Sequence, residues 1–201
     1  YVMDTRNPGG GGRILVFDVA TTTPLENAIY VIGQPNFTTS VDALTQSGLS
    51  INLSAISLDI TNDRLFANDG ARTLVYDVST GNIANGMNAT NVLGQPNFTT
   101  RVYAVNATTD DGAGGLYYEP IHNKLYLPSR NNNRVLVYDV ASITDYEAAT
   151  QVLGQTAGTS ASTPGMNFTK NSGNDGANLW GFSSPTGSAY DSVNHKLYVT
   201  D

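Results

Sequence analysis

The chain has 201 residues, 40% of them hydrophobic and only 13% charged, with a formal net charge of −7, no cysteine and 20 glycines. That apolar content sets it apart from disordered chains, and the negative balance argues against the basic footprint of a nucleic-acid binder or of a protein held on an anionic membrane. The lack of cysteine removes disulfides, thiolate nucleophiles and cysteine-type zinc sites together, and no stretch approaches the roughly 18 apolar residues of a spanning helix, so no membrane insertion is expected in this segment.

From the N-terminus, Tyr1-Val2-Met3-Asp4 reads as the end of a short strand. Arg13-Ile-Leu-Val-Phe-Asp-Val19 follows as a β-branched, aromatic-rich strand, and then comes Ile32-Gly33-Gln34-Pro35-Asn36-Phe37-Thr38. The same words return further on. Arg72-Thr-Leu-Val-Tyr-Asp-Val78 precedes Leu93-Gly94-Gln95-Pro96-Asn97-Phe98-Thr99, and Arg134-Val-Leu-Val-Tyr-Asp-Val140 precedes Leu153-Gly154-Gln155. Between them an acid leads into a basic, apolar and aromatic step: Asp59 to Arg64-Leu65-Phe66, Glu119 to Lys124-Leu125-Tyr126, Asp191 to Lys196-Leu197-Tyr198. A period of about 60 residues marks a modular array whose units bury apolar surface against their neighbours.

In the middle unit, residues 65–67 form a short apolar run turning at Asn68-Asp69-Gly70. Residues 73–78 form a second run, 91–95 a third closing on Gly94, and 115–118 a fourth turning at Glu119-Pro120. Four short strands joined by hairpins predict a four-stranded antiparallel sheet, and no ten-residue segment has helical period, so the chain reads as all-β. The strand around Val75 is apolar on both parities, with Leu74, Tyr76 and Val78 on one face. Two-sided burial is expected of sheets that stand side by side, as in the blades of a β-propeller; a parallel β-helix shares that logic but needs a shorter sub-period that is not found. The spacing predicts a single region over 1–201: a partial blade at 1–50, blades at 51–111 and 112–172, and a partial blade at 173–201. Because Tyr1–Asp4 corresponds to Tyr198–Asp201, about three blade-lengths are expected, half of a six-bladed ring. Either the segment is a window on a longer protein or two arcs complete one ring between chains.

Arg13 and Arg72 open equivalent strands, and Asp4 and Asp69 close the strands before them, so each pair is expected to pin a hairpin. In the third unit Ser129 stands where the acid should be, which implies that the pairing is dispensable. Asp18, Asp77 and Asp139 recur at strand ends in separate units, too far apart for a catalytic pair. His122 and His195 sit in equivalent turns, one residue out of register, without the spacing of a zinc or acid–base site. Asp110-Asp111-Gly112 and Asn174-Asp175-Gly176 are loop acids that lack the spacing of a calcium loop. No catalytic, cofactor-binding or metal-binding residue is singled out.

Six Asn-Xaa-Ser/Thr sequons occur, at Asn36, Asn52, Asn88, Asn97, Asn106 and Asn167. Asn36 and Asn97 share a unit position in a polar loop and are the leading glycosylation candidates; the competing reading is that Asn-Phe-Thr is simply the turn sequence of the repeat. Leu65 to Leu125 spans 60 positions and Leu125 to Leu197 spans 72, so the third unit carries an insertion, placed at 156–166. Thr156, Ser160 and Thr163, with Trp180 beyond them, form a candidate recognition loop, since long loops on rigid frames are where binding usually sits. Trp180 also reads as packing between sheets.

Three segments, Asn132-Asn133-Arg134-Val135-Leu136-Val137-Tyr138-Asp139, Val92-Leu93-Gly94-Gln95-Pro96-Asn97-Phe98 and Lys196-Leu197-Tyr198-Val199-Thr200-Asp201, resemble the NHL-repeat β-propeller family. The likeness is to its long-blade bacterial and archaeal members with a leucine-glycine-glutamine-proline step. It runs over essentially the whole chain and departs from the pattern at Ser129 and Thr156. The resemblance implies a propeller, commonly six-bladed, that binds or scaffolds. The expected function is therefore a non-enzymatic extracytoplasmic module, at the cell surface or outside it, needing no cofactor and contacting a protein, a carbohydrate or a sister subunit through its loops. Two alternatives stay open: a fragment of a metal-dependent lyase or lactonase of propeller type, and a subunit of an extracellular fibre or surface assembly.

Overall fold

The computed structural model describes residues 1–5, 10–20, 26–112, 114–156, 165–173 and 179–201. Those residues form thirteen short strands and one 3₁₀ turn, Arg130–Asn132. The strands fall into four antiparallel sheets, each a meander in chain order. The first holds β1 (Val2–Asp4), β2 (Arg13–Val16) and β3 (Tyr30–Ile32). The second holds β4 (Ala55–Asp59), β5 (Arg64–Asn68), β6 (Thr73–Asp77) and β7 (Asn91–Leu93). The third holds β8 (Tyr117–Glu119), β9 (Lys124–Ser129), β10 (Arg134–Asp139) and β11 (Gln151–Leu153). The fourth pairs β12 (Gly187–Asp191) with β13 (Lys196–Thr200). Among the described residues no helix is long and apolar enough to cross a membrane.

The chain is thus all-β and built on four-stranded antiparallel sheets, with one difference from the expected strand assignment. The run at 115–118 does not close the middle sheet: Tyr117–Glu119 pairs with β9 and opens the next one. The missing strand is β4, whose Ala-Ile-Ser-Leu-Asp sequence alternates too weakly to declare itself and reads as the approach to the turn at Asp59.

The side-chain period of two explains how one sheet serves two cores. Leu65 and Ala67 of β5, with Leu74 and Tyr76 of β6, join Ile14, Val16 and Ile32 of the first sheet. Phe66 and Val75, the residues between them, join Leu125, Leu127, Leu136 and Tyr138 of the third sheet. β7 divides likewise, Val92 to one side and Leu93 to the other. The β-branched and aromatic run of β6 suits a strand covered on both faces. Leu74, Val75 and Tyr76 are all essentially inaccessible to solvent.

Two successive junctions between sheets share a contact. Phe66 stacks on Tyr118 with ring centroids 5.8 Å apart, and the corresponding pair Tyr126 and Tyr190 stacks at 6.2 Å. The amide of Tyr118 donates to Ser57 Oγ at 2.9 Å, tying the opening strands of two successive sheets. At one end of these strands the recurring acid organises the turn. Asp59 Oδ1 accepts the amides of Thr61 and Asn62, Glu119 those of Ile121 and His122, and Asp191 those of Val193 and Asn194. Each turn then passes through a left-handed residue, Asp63, Asn123 or His195, at φ of 50°, 52° and 53°.

Candidate functional site

The opposite end of the sheets carries the β5–β6 and β9–β10 hairpins and the long loops after β3, β7 and β11. Two recurring side chains fix these loops. Gln95 is fully buried; its Nε2 donates to the carbonyls of Ala71 and Val102, both at 3.0 Å, and its Oε1 accepts the Val102 amide at 2.6 Å. Gln34 makes the same three bonds to Gly12 and Val41. Gln155 reaches Asn133 and, across the insertion, Ser172, which lies seventeen residues on instead of seven. The preceding glycine is required by geometry. Gly33, Gly94 and Gly154 have φ of 89°, 78° and 88°, and a Cβ on Gly33 would lie 2.5 Å from Leu49 Cδ1.

The second fastener is arginine. Arg13, Arg72 and Arg134 each donate to the carbonyl of the phenylalanine in the next Asn-Phe-Thr element: Phe37, Phe98 and Phe168. Arg72 also donates to the carbonyls of Thr45 and Gly48, and it forms a fully buried ion pair with Asp69 at 2.8 Å. The Arg13–Asp4 pair has the same form and is partly exposed.

In the third unit, among the described residues, no ion pair joins Arg134 to an acid. Ser129 replaces the acid, and burial lowers the pKa of Arg134, an effect that the charge of the fully buried Asp110, from the loop after β7, only opposes. Burial pushes Asp110 up to about 6, opposed by hydrogen bonding to Ser129 and Asn68 and by the charge of Arg134.

The asparagine of Asn-Phe-Thr has a turn role. Asn36 Oδ1 accepts the amides of Thr38 and Thr39 at 3.0 and 2.9 Å; Asn97 accepts that of Thr99, Asn167 that of Thr169, and Asn106 that of Thr108. These are Asx turns. The aromatic rings of Phe98 and Phe168 pack on the two cores, so the element recurs for structural reasons. Asn36, Asn52, Asn88 and Asn97 are exposed, whereas Asn106 and Asn167 are half-buried.

Two clefts lie among these loops. One, of about 400 Å³, is bordered by Asn52, Arg101, Tyr103, Asp111, Arg130 and Asn131. Its rim is joined by backbone bonds from Gly112 to Gly70 (2.6 Å) and from Arg130 to Gly112 (3.0 Å), so loops of two sheets meet there. The other, of about 330 Å³, is mainly apolar and is lined by Leu153, Thr156, Met166, Leu179, Trp180 and Phe182. It brings two of the expected recognition residues together, Thr156 and the half-exposed Trp180; Ser160 and Thr163 lie outside the described residues, as does Asn174-Asp175-Gly176.

At the other end of the sheets, His122 and His195 approach edge to face with ring centroids 6.0 Å apart. Each is engaged locally, His122 Nδ1 with Glu119 at 3.0 Å and His195 Nδ1 with Tyr190 at 3.1 Å. Among the described residues no group of three or more His, Cys, Asp or Glu could hold a metal ion.

Arg101, Tyr103 and Arg130 are the residues that the sequence reading passed over. The available signal was deviation from the repeat. Arg101 stands six residues after Gln95, where Ser40 stands after Gln34, and Arg130 stands in a hairpin whose counterpart turns through Gly70 and Ala71. No known family model matches the chain, and no curated protein does.

Proposed function

We propose that the chain is an arc of an NHL-type β-propeller acting as a non-enzymatic recognition or scaffolding module outside the cytoplasm, with its loops as the contact surface. The observation that carries this reading is the polar cleft. It is bordered by Arg101, Tyr103 and Arg130, side chains that the repeat does not need, on loops held rigid by buried glutamine and arginine. A stiff frame with variable, locked loops is what recognition modules require. The propeller geometry is supported by the division of each central strand between two cores. The extracytoplasmic address is motivated by the exposed sequon asparagines.

Two measurements test this reading. Structure determination of the longest gene product tests the ring, and a stack of sheets without curvature overturns it. Surface plasmon resonance against saccharide and peptide panels, run beside elemental analysis, tests the role. Reversible binding without turnover is expected, whereas turnover or stoichiometric calcium or zinc moves the assignment to the lyase or lactonase class.

A further inference from the structure

We infer that the Arg101–Arg130 cleft is a binding site for an acidic saccharide, a sugar unit that carries a carboxylate; the inference rests on the recognition reading above. The chain has a net charge of −7 and only ten lysines and arginines, yet two of its arginines border one cleft with a single carboxylate, Asp111. That carboxylate is already engaged, its Oδ1 accepting Asn131 Nδ2 at 3.1 Å.

Arg101 is the informative residue. Its Nε and Nη2 are buried and have no hydrogen-bond acceptor. A guanidinium carries five donors and is normally well satisfied when its edge leaves water. Arg72 is fully buried and held by three carbonyls and by Asp69, and Arg134, also buried, is held by three carbonyls with only its Nε unpartnered. Arg101 has the nearby negative charge of Asp69 but no hydrogen bond to it. Turning the guanidinium toward an entering carboxylate therefore breaks no hydrogen bond and gains charge-assisted ones in fork geometry. Arg130 lies exposed on the same wall and adds a second cation.

The remaining wall points to sugar rather than to peptide. Tyr103, 64% exposed as a residue, offers its ring as a platform for the apolar face of a pyranose. Asn52 and Asn131 supply neutral amides suited to hydroxyls. A peptide interface is instead anchored by aromatic or aliphatic side chains seated in apolar pockets, and of the aliphatic lining here Leu53 and Ala71 are already buried, which leaves Ile51 as the one exposed aliphatic side chain. The volume of about 400 Å³ suits one or two sugar rings.

The test is nitrogen-15 NMR titration of the chain with oligogalacturonate, with the neutral galactose oligomer and with hexaglutamate. It is repeated on Arg101→Gln, Arg130→Gln and Tyr103→Ala. The uronate is expected to shift amides at 101–112 and 130–133 and to weaken with added salt. The neutral oligomer and either Gln variant should bind about tenfold more weakly or less, the scale of one charged hydrogen-bonded contact. Neither Gln substitution removes a hydrogen bond of the folded chain, so the amide spectra should stay dispersed. Equal binding of acidic and neutral oligomers, shifts confined to other loops, or Gln variants that bind like the parent overturn the site. Hexaglutamate binding without uronate binding overturns the saccharide class and leaves the recognition reading standing. Uronate that binds in the cleft and is cleaved upholds the site and removes the non-enzymatic reading.

Discussion

Replacing Asp110 with asparagine should stabilise the protein at neutral pH and flatten its pH dependence. Asp110 is fully buried, its Oδ1 lacks a partner, and its pKa rises from 3.8 to about 6. A carboxyl that holds its proton more tightly when folded contributes stability that is complete below about pH 4, declines as pH rises through about 6, and is gone above that. The interval between the two values corresponds to about 3 kcal/mol. Asparagine removes that charge and keeps the shape, but it also removes the attraction to Arg134. The guanidinium of Arg134 retains its bonds to the carbonyls of Phe168, Asn106 and Thr109. The net gain at pH 7.5 is therefore expected to be smaller, about 1–2 kcal/mol. Urea unfolding of both proteins at pH 4.5, 6 and 7.5 reads the difference directly, because the other carboxylates are common to both. A difference that does not change with pH, or an asparagine variant that grows weaker as pH rises, refutes the reasoning and makes the Asp110 charge a net support for Arg134.

Three further outcomes follow from the loop fasteners. Arg72→Met should cost about 3–5 kcal/mol, because it leaves Asp69 buried and uncompensated, while Arg13→Met at the partly exposed pair should cost about 1 kcal/mol; equal losses in thermal melts would contradict the difference in burial. Gln95→Leu should lower stability by about 2–4 kcal/mol, since the Ala71 and Val102 carbonyls and the Val102 amide lose buried partners, and hydrogen exchange should quicken at Val102 before it does in β6. Asn36 and Asn97 are expected to carry glycans in a secreting host: both residues are exposed, and it is their Oδ1 atoms that are committed to the turn. An intact mass equal to that of the bare polypeptide, before and after chemical deglycosylation, removes this claim.

The repeat made the sheets legible because the strongest strands, β6 and β10, bury both faces and so carry unbroken apolar runs. β4 was not legible because its five residues, Ala-Ile-Ser-Leu-Asp, run buried, intermediate, intermediate, exposed and buried, without the alternation of a half-covered strand. The charge pairing was legible from Asp4 and Asp69, whereas the burial of Asp110 was not: it lies outside the hairpin, and only the folded loop brings it to Ser129 and Arg134. Trp180 and Thr156 were visible as an odd residue and a lost proline, and they do share an apolar cleft. Arg101 and Arg130 were not legible because they stand where the repeat breaks, and recurrence alone does not mark them.

The glutamine clasp turns the connecting loops into exchangeable cassettes. Gln95 catches its loop seven residues on and Gln155 seventeen residues on, with corresponding anchors at the loop entrance, Ala71 and Asn133. Lengthening a closed loop by that amount costs only about 0.8 kcal/mol in chain entropy. The sheets are shielded from whatever lies between the two anchors, so new sequence can be installed there without renegotiating the core. A library randomised between clasp and anchor, with the glutamine, its glycine and the arginine left untouched, should yield folded variants at high frequency.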